Sequence, residues 1–402
     1  MERGKRGIVI TNLFPNAVET TRGMFVWQET QRLRDAHGYD LRVLAPLPWV
    51  PGFLRDKSRF AHHAAPARET RDGFDVHYPR HVVTPRVLRF CYGHYVYWAL
   101  KGLFARLHRD APADFIVAHY AFPDGYAAHR LARRHNLPLL VKVRGSDVNL
   151  FTRSFLRRRL TMRTLHGADR VVAVSEALKA RMVKLGLPAE RIAVMPNGVD
   201  RERFAPRDRD ACRRALGLPE APFTFLFVGT LRTIKGVTTL LQAFRAIPEM
   251  QRRKASLILI GDGDLEADLR DRIERFGMRD QVRLLPPVPH AEVPQWIGAC
   301  DCLVLPSIME GYPNVLVEAL AAQRPVIASR VGGIPEIVAD GASGLLVPPG
   351  EPWPLTDAMI RMLEGFDFDP AASSAAQRSW VDVASEMDGL IQSMLADRGT
   401  RP

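Results

Sequence analysis

The sequence predicts an α/β protein made of two doubly wound, Rossmann-like units. Three observations point there. Short continuous apolar runs, typical of strands buried on both faces, alternate along the chain with stretches of helical periodicity. The alternation starts afresh after the turn cluster Pro196-Asn197-Gly198-Val199-Asp200. A chain of 402 residues also exceeds the roughly 250 to 300 residues at which a single core stops growing.

In the first half, strands are expected at Gly7 to Thr11, Asp40 to Ala45, Phe115 to Ala118, Leu139 to Val143, Arg170 to Val174 and Ile192 to Met195. Helices fall between them, for example Met24 to Ala36 and Ser175 to Leu185. The second half repeats the pattern with strands at Phe223 to Val228, Leu257 to Ile260, Val282 to Leu284, Leu303 to Leu305 and Val326 to Ala328. The turn residues at 196 to 200 suit a hinge, with a cleft expected beside it. Residues 366 to 379 read as loop, after which Trp380, Val383, Met387, Leu390, Ile391 and Met394 recur at helical spacing. The expected division is 1–197, 198–372 and a terminal segment 373–402.

Composition narrows the function. The opening apolar run is short and ends in a Phe14-Pro15 turn, so it reads as a first strand and not a signal peptide. No stretch approaches the about 18 uncharged apolar residues of a membrane span. The four cysteines, Cys91, Cys212, Cys300 and Cys302, lack C-x-x-C pairing, which points away from a disulfide framework or a zinc site and towards a reducing cytoplasm. Charge is uneven: residues 1–200 hold 33 Lys/Arg against 17 Asp/Glu, and the remainder 23 against 27. A basic half attracts polyanions, and with no nucleic-acid motif present the expected partner is an anionic membrane surface. Two segments combine this charge with bulky apolar groups: Arg86 to Arg109, containing Tyr92, Tyr95, Tyr97, Trp98 and Phe104, and Phe155 to Arg163. Such helices suit a headgroup interface. The same aromatic residues equally suit packing onto a sheet.

The most informative window is Glu310-Gly311-Tyr312-Pro313-Asn314-Val315-Leu316-Val317-Glu318. It follows the apolar run Cys302-Leu303-Val304-Leu305-Pro306-Ser307, giving the order strand, loop, helix. In open parallel sheets, ligands lie outside the carboxyl ends of strands, where helix N-termini present unpaired N–H groups and a positive dipole end. A phosphate suits that place, and carboxylates on either side suit sugar hydroxyls.

The window resembles the paired-glutamate E-x7-E motif of retaining GT-B glycosyltransferases, the large family that includes bacterial envelope polysaccharide and mannosyl transferases. Val331-Gly332-Gly333-Ile334-Pro335-Glu336 and Gly344-Leu345-Leu346-Val347-Pro348-Pro349-Gly350 follow in that family's order and spacing. The resemblance is specific over 190–350 and looser over 1–175. It implies a GT-B fold whose two Rossmann-like domains face a cleft, the terminal helix crossing back onto the N-terminal domain. It further implies transfer, with retention of configuration, from a UDP- or GDP-sugar to a growing or lipid-linked envelope glycan. No cofactor or metal is implied, and the expected location is the cytoplasm, peripheral at the inner face of the membrane.

Residue roles follow from position and resemblance together. Gly229-Thr230-Leu231-Arg232-Thr233-Ile234-Lys235-Gly236 ends a strand, and Lys235 is expected to meet the diphosphate. The family has an arginine where Thr230 stands, which makes Arg232 its candidate substitute. Glu310 resembles the glutamate that contacts the transferred sugar and Glu318 the one that binds the ribose. Gly311, Tyr312, Asn314, Val315 and Leu316 would line the sugar and phosphates through their amides. Gly261 looks like the turn beside the base, and Gly23 like the glycine over which the N-terminal loop closes on the diphosphate. His119 and Asp147, each just after a strand, are the catalytic candidates of the first domain, with Asp147 expected to orient the acceptor or its neighbours. Asp262-Gly263-Asp264 imitates a D-x-D metal motif, but no clustered His or carboxylate completes a magnesium shell. Gln323, and either Pro286 or Pro287, stand where members of the family commonly have glycine. The G-x-G-x-x-G fingerprint is absent after the first strand of either half, which disfavours a dinucleotide oxidoreductase. A sugar-nucleotide epimerase and a nucleotide-sugar binding protein without turnover remain as alternatives.

Overall fold

The computed structural model describes residues 4–52, 62–84, 88–219 and 223–399. Two compact units divide the chain, one of residues 1–197 with 380–402 and one of residues 198–379.

Unit 1 runs β1 (Arg6–Ile10), α1 (Met24–His37), β2 (Asp40–Leu44), β3 (Leu47–Pro48), β4 (Arg68–Arg71), β5 (Phe74–His77), β6 (Arg80–His81) and α2 (Tyr92–Asp110). It continues through β7 (Phe115–His119), α3 (Asp124–His135), β8 (Leu139–Val143), α4 (Ser146–Asn149), α5 (Phe155–Gly167), β9 (Arg170–Ala173), α6 (Glu176–Lys184) and β10 (Ile192–Val194). Its main sheet has the order β10-β9-β8-β7-β1-β2-β5-β4 and is parallel except for β4. β7 and β8 are buried along their whole length, as their uninterrupted apolar character requires.

Unit 2 runs α7 (Arg209–Ala215), β11 (Phe223–Val228), α8 (Val237–Ala246), α9 (Glu249–Arg252), β12 (Ala255–Ile260), α10 (Glu266–Arg275) and β13 (Val282–Leu285). Then come α11 (Val293–Ala299), β14 (Cys302–Leu305), α12 (Asn314–Ala321), β15 (Val326–Ser329), β16 (Gly344–Val347) and α13 (Pro352–Gly365). The sheet is parallel throughout, in the order β13-β12-β11-β14-β15-β16.

The last helix, α14 (Trp380–Gly399), belongs to unit 1. Trp380, Val383, Met387, Ile391 and Met394 join Val26 and Leu33 of α1 in one buried cluster. Tyr39 Oη donates to Asp388 Oδ1 at 2.6 Å and so ties the helix down. Residues 373–379, expected to begin the terminal segment, pack on unit 2 instead. Ser373 is buried and its Oγ donates to the Ile337 carbonyl at 2.7 Å, while Val199 bridges Ser379.

Two further features depart from expectation. The β4–β5 hairpin was not among the expected strands, although Asp72-Gly73 signals it: φ of 49° and 83° at the two loop residues are what a type I′ turn demands. The aromatic residues of α2 divide between the two readings offered above, since Tyr97 and Phe104 enter the core while Trp98 is 57% exposed. Arg86 and Val87 lie outside the described residues. No helix among the described residues is long and apolar enough to cross a membrane.

Gln323 closes α12. Arg324 N–H bonds the Ala319 carbonyl and Gln323 N–H that of Leu320, a Schellman pattern that puts Gln323 at φ 55°. A side chain in the left-handed region costs about 1–2 kcal/mol, partly offset in glycine by its chain entropy. Gln323→Gly should therefore raise stability by about 1 kcal/mol, read as a higher urea midpoint with an unchanged slope.

Candidate active site

In both sheets, strand order reverses at one point, and the loops leaving the carboxyl ends of the two strands there lie side by side. In unit 2 the reversal falls between β11 and β14, which pair through Phe225–Cys302 and Leu226–Leu303. It brings the loop from Gly229 to Gly236 against the loop from Pro306 to Pro313. Lys235 and Glu310, 75 residues apart in sequence, meet there with Nζ 2.6 Å from Oε1. Ser307 Oγ donates to the same oxygen at 2.7 Å. Both protein contacts use Oε1, so Oε2 remains available to a hydroxyl.

Close backbone packing makes this possible. At Gly236 (φ 67°) a Cβ would lie 2.0 Å from the Pro306 carbonyl oxygen, and at Gly332 (φ 54°) 2.1 Å from that of Glu310. Gly333 N–H bonds the Gly311 carbonyl at 3.1 Å, fixing the Glu310 loop from its other side. Gly261 lies against Gly229, whose carbonyl oxygen would be 1.9 Å from a Cβ, and Leu231 N–H bonds the Asp262 carbonyl at 2.6 Å. Asp262 thus serves a backbone turn, and among the described residues no three His, Cys, Asp or Glu side chains gather as a metal site.

α12 starts without a side-chain cap. Within its first turn the Leu316 N–H bonds the Pro313 carbonyl at 3.2 Å, and the start of the helix follows directly on the Glu310 loop. Tyr312, in the loop before the helix, is buried. Glu318, one turn further, is nearly buried, and its Oε1 lies 3.2 Å from His290 Nε2. The His290 ring in turn meets Phe204 edge-on at 5.8 Å between centroids. A carboxylate only accepts, so His290 donates from Nε2 and its Nδ1, buried without a partner, is left as an acceptor. Arg232 is exposed on the first loop, adjacent in sequence to Leu231, and forms no ion pair among the described residues.

In unit 1 the reversal falls between β1 and β7. Asn12 N–H donates to Asp124 Oδ2 at 2.7 Å, joining the segments that follow these strands. Burial pushes the Asp124 carboxyl up to about 7. His119, at the end of β7, is 1% exposed and belongs to a buried charge cluster. Glu29 Oε2 accepts from Lys142 Nζ at 2.8 Å and from Arg144 Nη2 at 3.0 Å, and Arg144 also bonds Asn197 Oδ1 at 2.8 Å and His119 Nδ1 at 2.7 Å. Burial alone would raise the Glu29 carboxyl; the Lys142 and Arg144 cations overcome it and hold the group at about 2. Burial, then Arg144, keeps the His119 imidazolium form far out of reach. Because a guanidinium only donates, His119 Nδ1 is the acceptor and Nε2 carries the proton. His119 is therefore a neutral donor, not a base.

Asp147 is committed to the backbone around it. Oδ1 accepts from the amides of Arg144, Gly145 and Val148 and Oδ2 from that of Ala121, so the carboxylate orders the turns after β7 and β8. It is fully buried and touches its neighbours, not a surface an acceptor could reach. Gly23 opens α1 at φ 65° against the Leu13 carbonyl, 2.4 Å from where a Cβ would stand. Near these turns lies a cavity of about 540 Å3 whose lining is mainly apolar, with Phe122, Phe151 and Tyr92 beside Arg22, Arg89 and Arg157.

Sequence reasoning did not single out Glu29, Lys142, Arg144, Ser307 or His290. Lys142 carried a readable signal, a charge within the otherwise apolar run Leu139 to Val143. Buried lysines need partners. His290 carried none, because its contact with Glu318 spans 28 residues.

Residues 208–378 match the family described as "Glycosyl transferases group 1", and residues 24–203 match "Glycosyltransferase Family 4". The chain is 31% identical over 301 residues to D-inositol 3-phosphate glycosyltransferase 2 of Catenulispora acidiphila, spanning 69% of this chain and 70% of that one. It is 26% identical over 387 residues to the amylovoran biosynthesis glycosyltransferase AmsK of Erwinia amylovora, spanning 88% and 90%. The Anabaena protein HepE, solved in complex with UDP-glucose, superposes with a TM-score of 0.72 at 21% identity, over 97% of this chain and 100% of HepE. Two Rossmann-like units of this topology are the GT-B architecture.

Glu29→Gln should destabilise the protein by about 3 kcal/mol at neutral pH, since it leaves Lys142 and Arg144 buried with less compensation. The wild-type carboxyl sits near 2 against an ordinary 4.5. Its contribution is complete above about pH 4.5 and fades as pH falls towards 2. Urea unfolding across that range should show the gap between wild type and variant narrowing in acid.

Proposed function

This chain belongs to the group 1 glycosyltransferases, and from that premise we propose that it is a retaining enzyme moving a sugar from a UDP- or GDP-sugar to a glycan or lipid-linked envelope acceptor. The observation that carries the reading is the Lys235–Glu310 contact, 2.6 Å long, beside the uncapped start of α12. A diphosphate needs cations and oriented amides. Lys235 and Arg232 supply the cations and the N-terminal end of α12 the positive end of a helix dipole, without requiring a metal or a cofactor. Glu310 turns its free oxygen to hydroxyls of the transferred sugar, and Glu318, steadied by His290, accepts from the ribose. Gly261 keeps the turn beside the base free of a side chain. The HepE complex with UDP-glucose supports a donor of this class, and the amylovoran relative supports a polysaccharide acceptor.

In this reading the acceptor hydroxyl oxygen bonds to the anomeric carbon on the face from which the phosphate departs. The anomeric C–O bond to phosphate breaks, and the hydroxyl proton passes to the leaving phosphate oxygen. Charge grows on the diphosphate, where preorganised donors lower the barrier most. The first unit receives the acceptor in its 540 Å3 cavity, where apolar walls suit a lipid segment and Arg22, Arg89 and Arg157 suit an anionic link. The basic charge of the first half, with Trp98, Phe155 and Leu156 exposed, supports a peripheral position at the cytoplasmic membrane face.

The test is incubation with radiolabelled UDP- and GDP-sugars and a membrane lipid extract. Transfer of label is expected with one donor class. Absence of transfer, together with no thermal stabilisation by any nucleotide, would overturn the reading. Glu310→Gln should lower transfer by about 10²-fold or more while moving the melting temperature by no more than a few degrees. A large fall in melting temperature would mark Glu310 as structural.

A further inference from the structure

Unit 1 holds a second cavity, also about 540 Å3, away from the turns described above and built from opposite chemistry. His94 on α2, His129, Arg130, Arg133 and Arg134 on α3, and Arg163 on α5 line it. None of the four guanidinium groups forms an ion pair among the described residues. Arg130 lies over the Tyr97 ring at 4.1 Å and points into the same space. Three cations on one face of α3, spaced three and four residues apart, repel one another by a few tenths of a kcal/mol per pair. The fold tolerates a local excess of positive charge, with none of the four arginines in an ion pair among the described residues.

Two of the lining imidazoles also hold polar atoms closed off from solvent. Nδ1 of His94 and Nδ1 of His129 are both buried with no hydrogen bond. His94 uses its other nitrogen on Tyr126 Oη at 2.9 Å. Around His129 the charged neighbours are Arg133 and Arg163, opposed only by Asp169, and burial followed by these arginines holds the ring below its usual range. Burial and then Arg130 act on His94 in the same direction. Trp98, 57% exposed with its ring 6.5 Å from that of His94, stands at the rim.

We propose that this cavity is a binding site for a phosphate-bearing anion, gripped by Arg130, Arg133, Arg134 and Arg163. Four guanidinium forks match the several oxygens and multiple charge of a phosphate group better than a single carboxylate. The group can come from an anionic phospholipid or from a soluble phosphate compound. The proposal rests on the charge and geometry of α2, α3 and α5, and is independent of whether sugar is transferred.

Two probes distinguish the sources: inorganic pyrophosphate followed by calorimetry, and co-sedimentation with phosphatidylcholine vesicles with and without phosphatidylglycerol. The double variant Arg133→Gln/Arg163→Gln removes two exposed, unpaired cations, and Arg181→Gln/Lys184→Gln on α6 removes the same charge elsewhere. The cavity variant should lose about tenfold or more in whichever arm binds, the α6 variant much less. The melting temperature of the unliganded cavity variant should equal or slightly exceed that of the parent, because repulsion is relieved. Stabilisation by UDP or GDP should be unchanged, which separates this site from the donor site. Binding to vesicles alone assigns a lipid headgroup, and binding to pyrophosphate alone assigns a soluble phosphate. Failure of the parent to bind either probe, or equal losses in both variants, would overturn the proposal.

Discussion

The structure of the candidate site depends on one constraint, the close backbone approach between the loops that leave β11 and β14. Parallel pairing of these two strands at the reversal of strand order brings Lys235 to Glu310, but only if the intervening main chain can touch. Gly236 and Gly332 permit this by presenting no Cβ where a carbonyl oxygen lies about a bond's length too near. A side chain at either place would push the loops apart. An ion pair with a 2.6 Å contact has little tolerance for such a shift. The glycines therefore act on the chemistry through distance, while Ser307 and the Gly333–Gly311 hydrogen bond keep the carboxylate from following other partners.

Unit 1 reaches a comparable rigidity by a different route. Its reversal point is held by buried charge: Glu29 against Lys142 and Arg144, and Asp147 against four backbone amides. Such groups are costly to bury and worthwhile only if nearly every donor and acceptor finds a partner. Asp147 is satisfied by its four amides, whereas Glu29 Oε1 and Arg144 Nε are buried without a partner, so the Glu29 cluster is held by its ion pairs and only in part by hydrogen bonds. His119 receives its tautomer from Arg144 in the bargain, which makes its proton position a consequence of the cluster and not of solvent pH.

Much of this was legible in the sequence, for physical reasons. Apolar runs buried on both faces give a strong and local signal, so the central strands of both sheets were readable to within a residue or two. The stripe from Trp380 to Met394 announced its helix, though not that residues 373–379 would stay with unit 2, since Ser373–Ile337 is a contact over 36 residues. The hairpin at Asp72-Gly73 had a turn signal but weak strands: β4 is Arg-Glu-Thr-Arg, an edge strand with no fully buried residue. At the site, Lys235, Glu310 and Glu318 could be named from their place in strand–loop–helix order. What partners them could not. Glu29 with Lys142 and His290 with Glu318 are meetings across the fold, and pattern within a window carries no trace of them.

The charge asymmetry of the sequence acquires a structural meaning when the helices of the two units are set side by side. On α10 of unit 2, arginines are matched four residues away: Arg270 with Glu266, Arg272 with Asp268, Arg275 with Asp271. That is the ordinary arrangement of a solvated helix face, with each arginine of the helix matched by a carboxylate one turn earlier. On α3 of unit 1, Arg130, Arg133 and Arg134 occupy corresponding spacings with no acidic residue to meet them, and Arg163 of α5 adds a fourth cation across the cavity. The excess in the first half is thus not a diffuse bias of composition. Some of it is neutralised internally, as at Lys142 and Arg144, and some is concentrated where an external anion would complete the electrostatics that the chain leaves open.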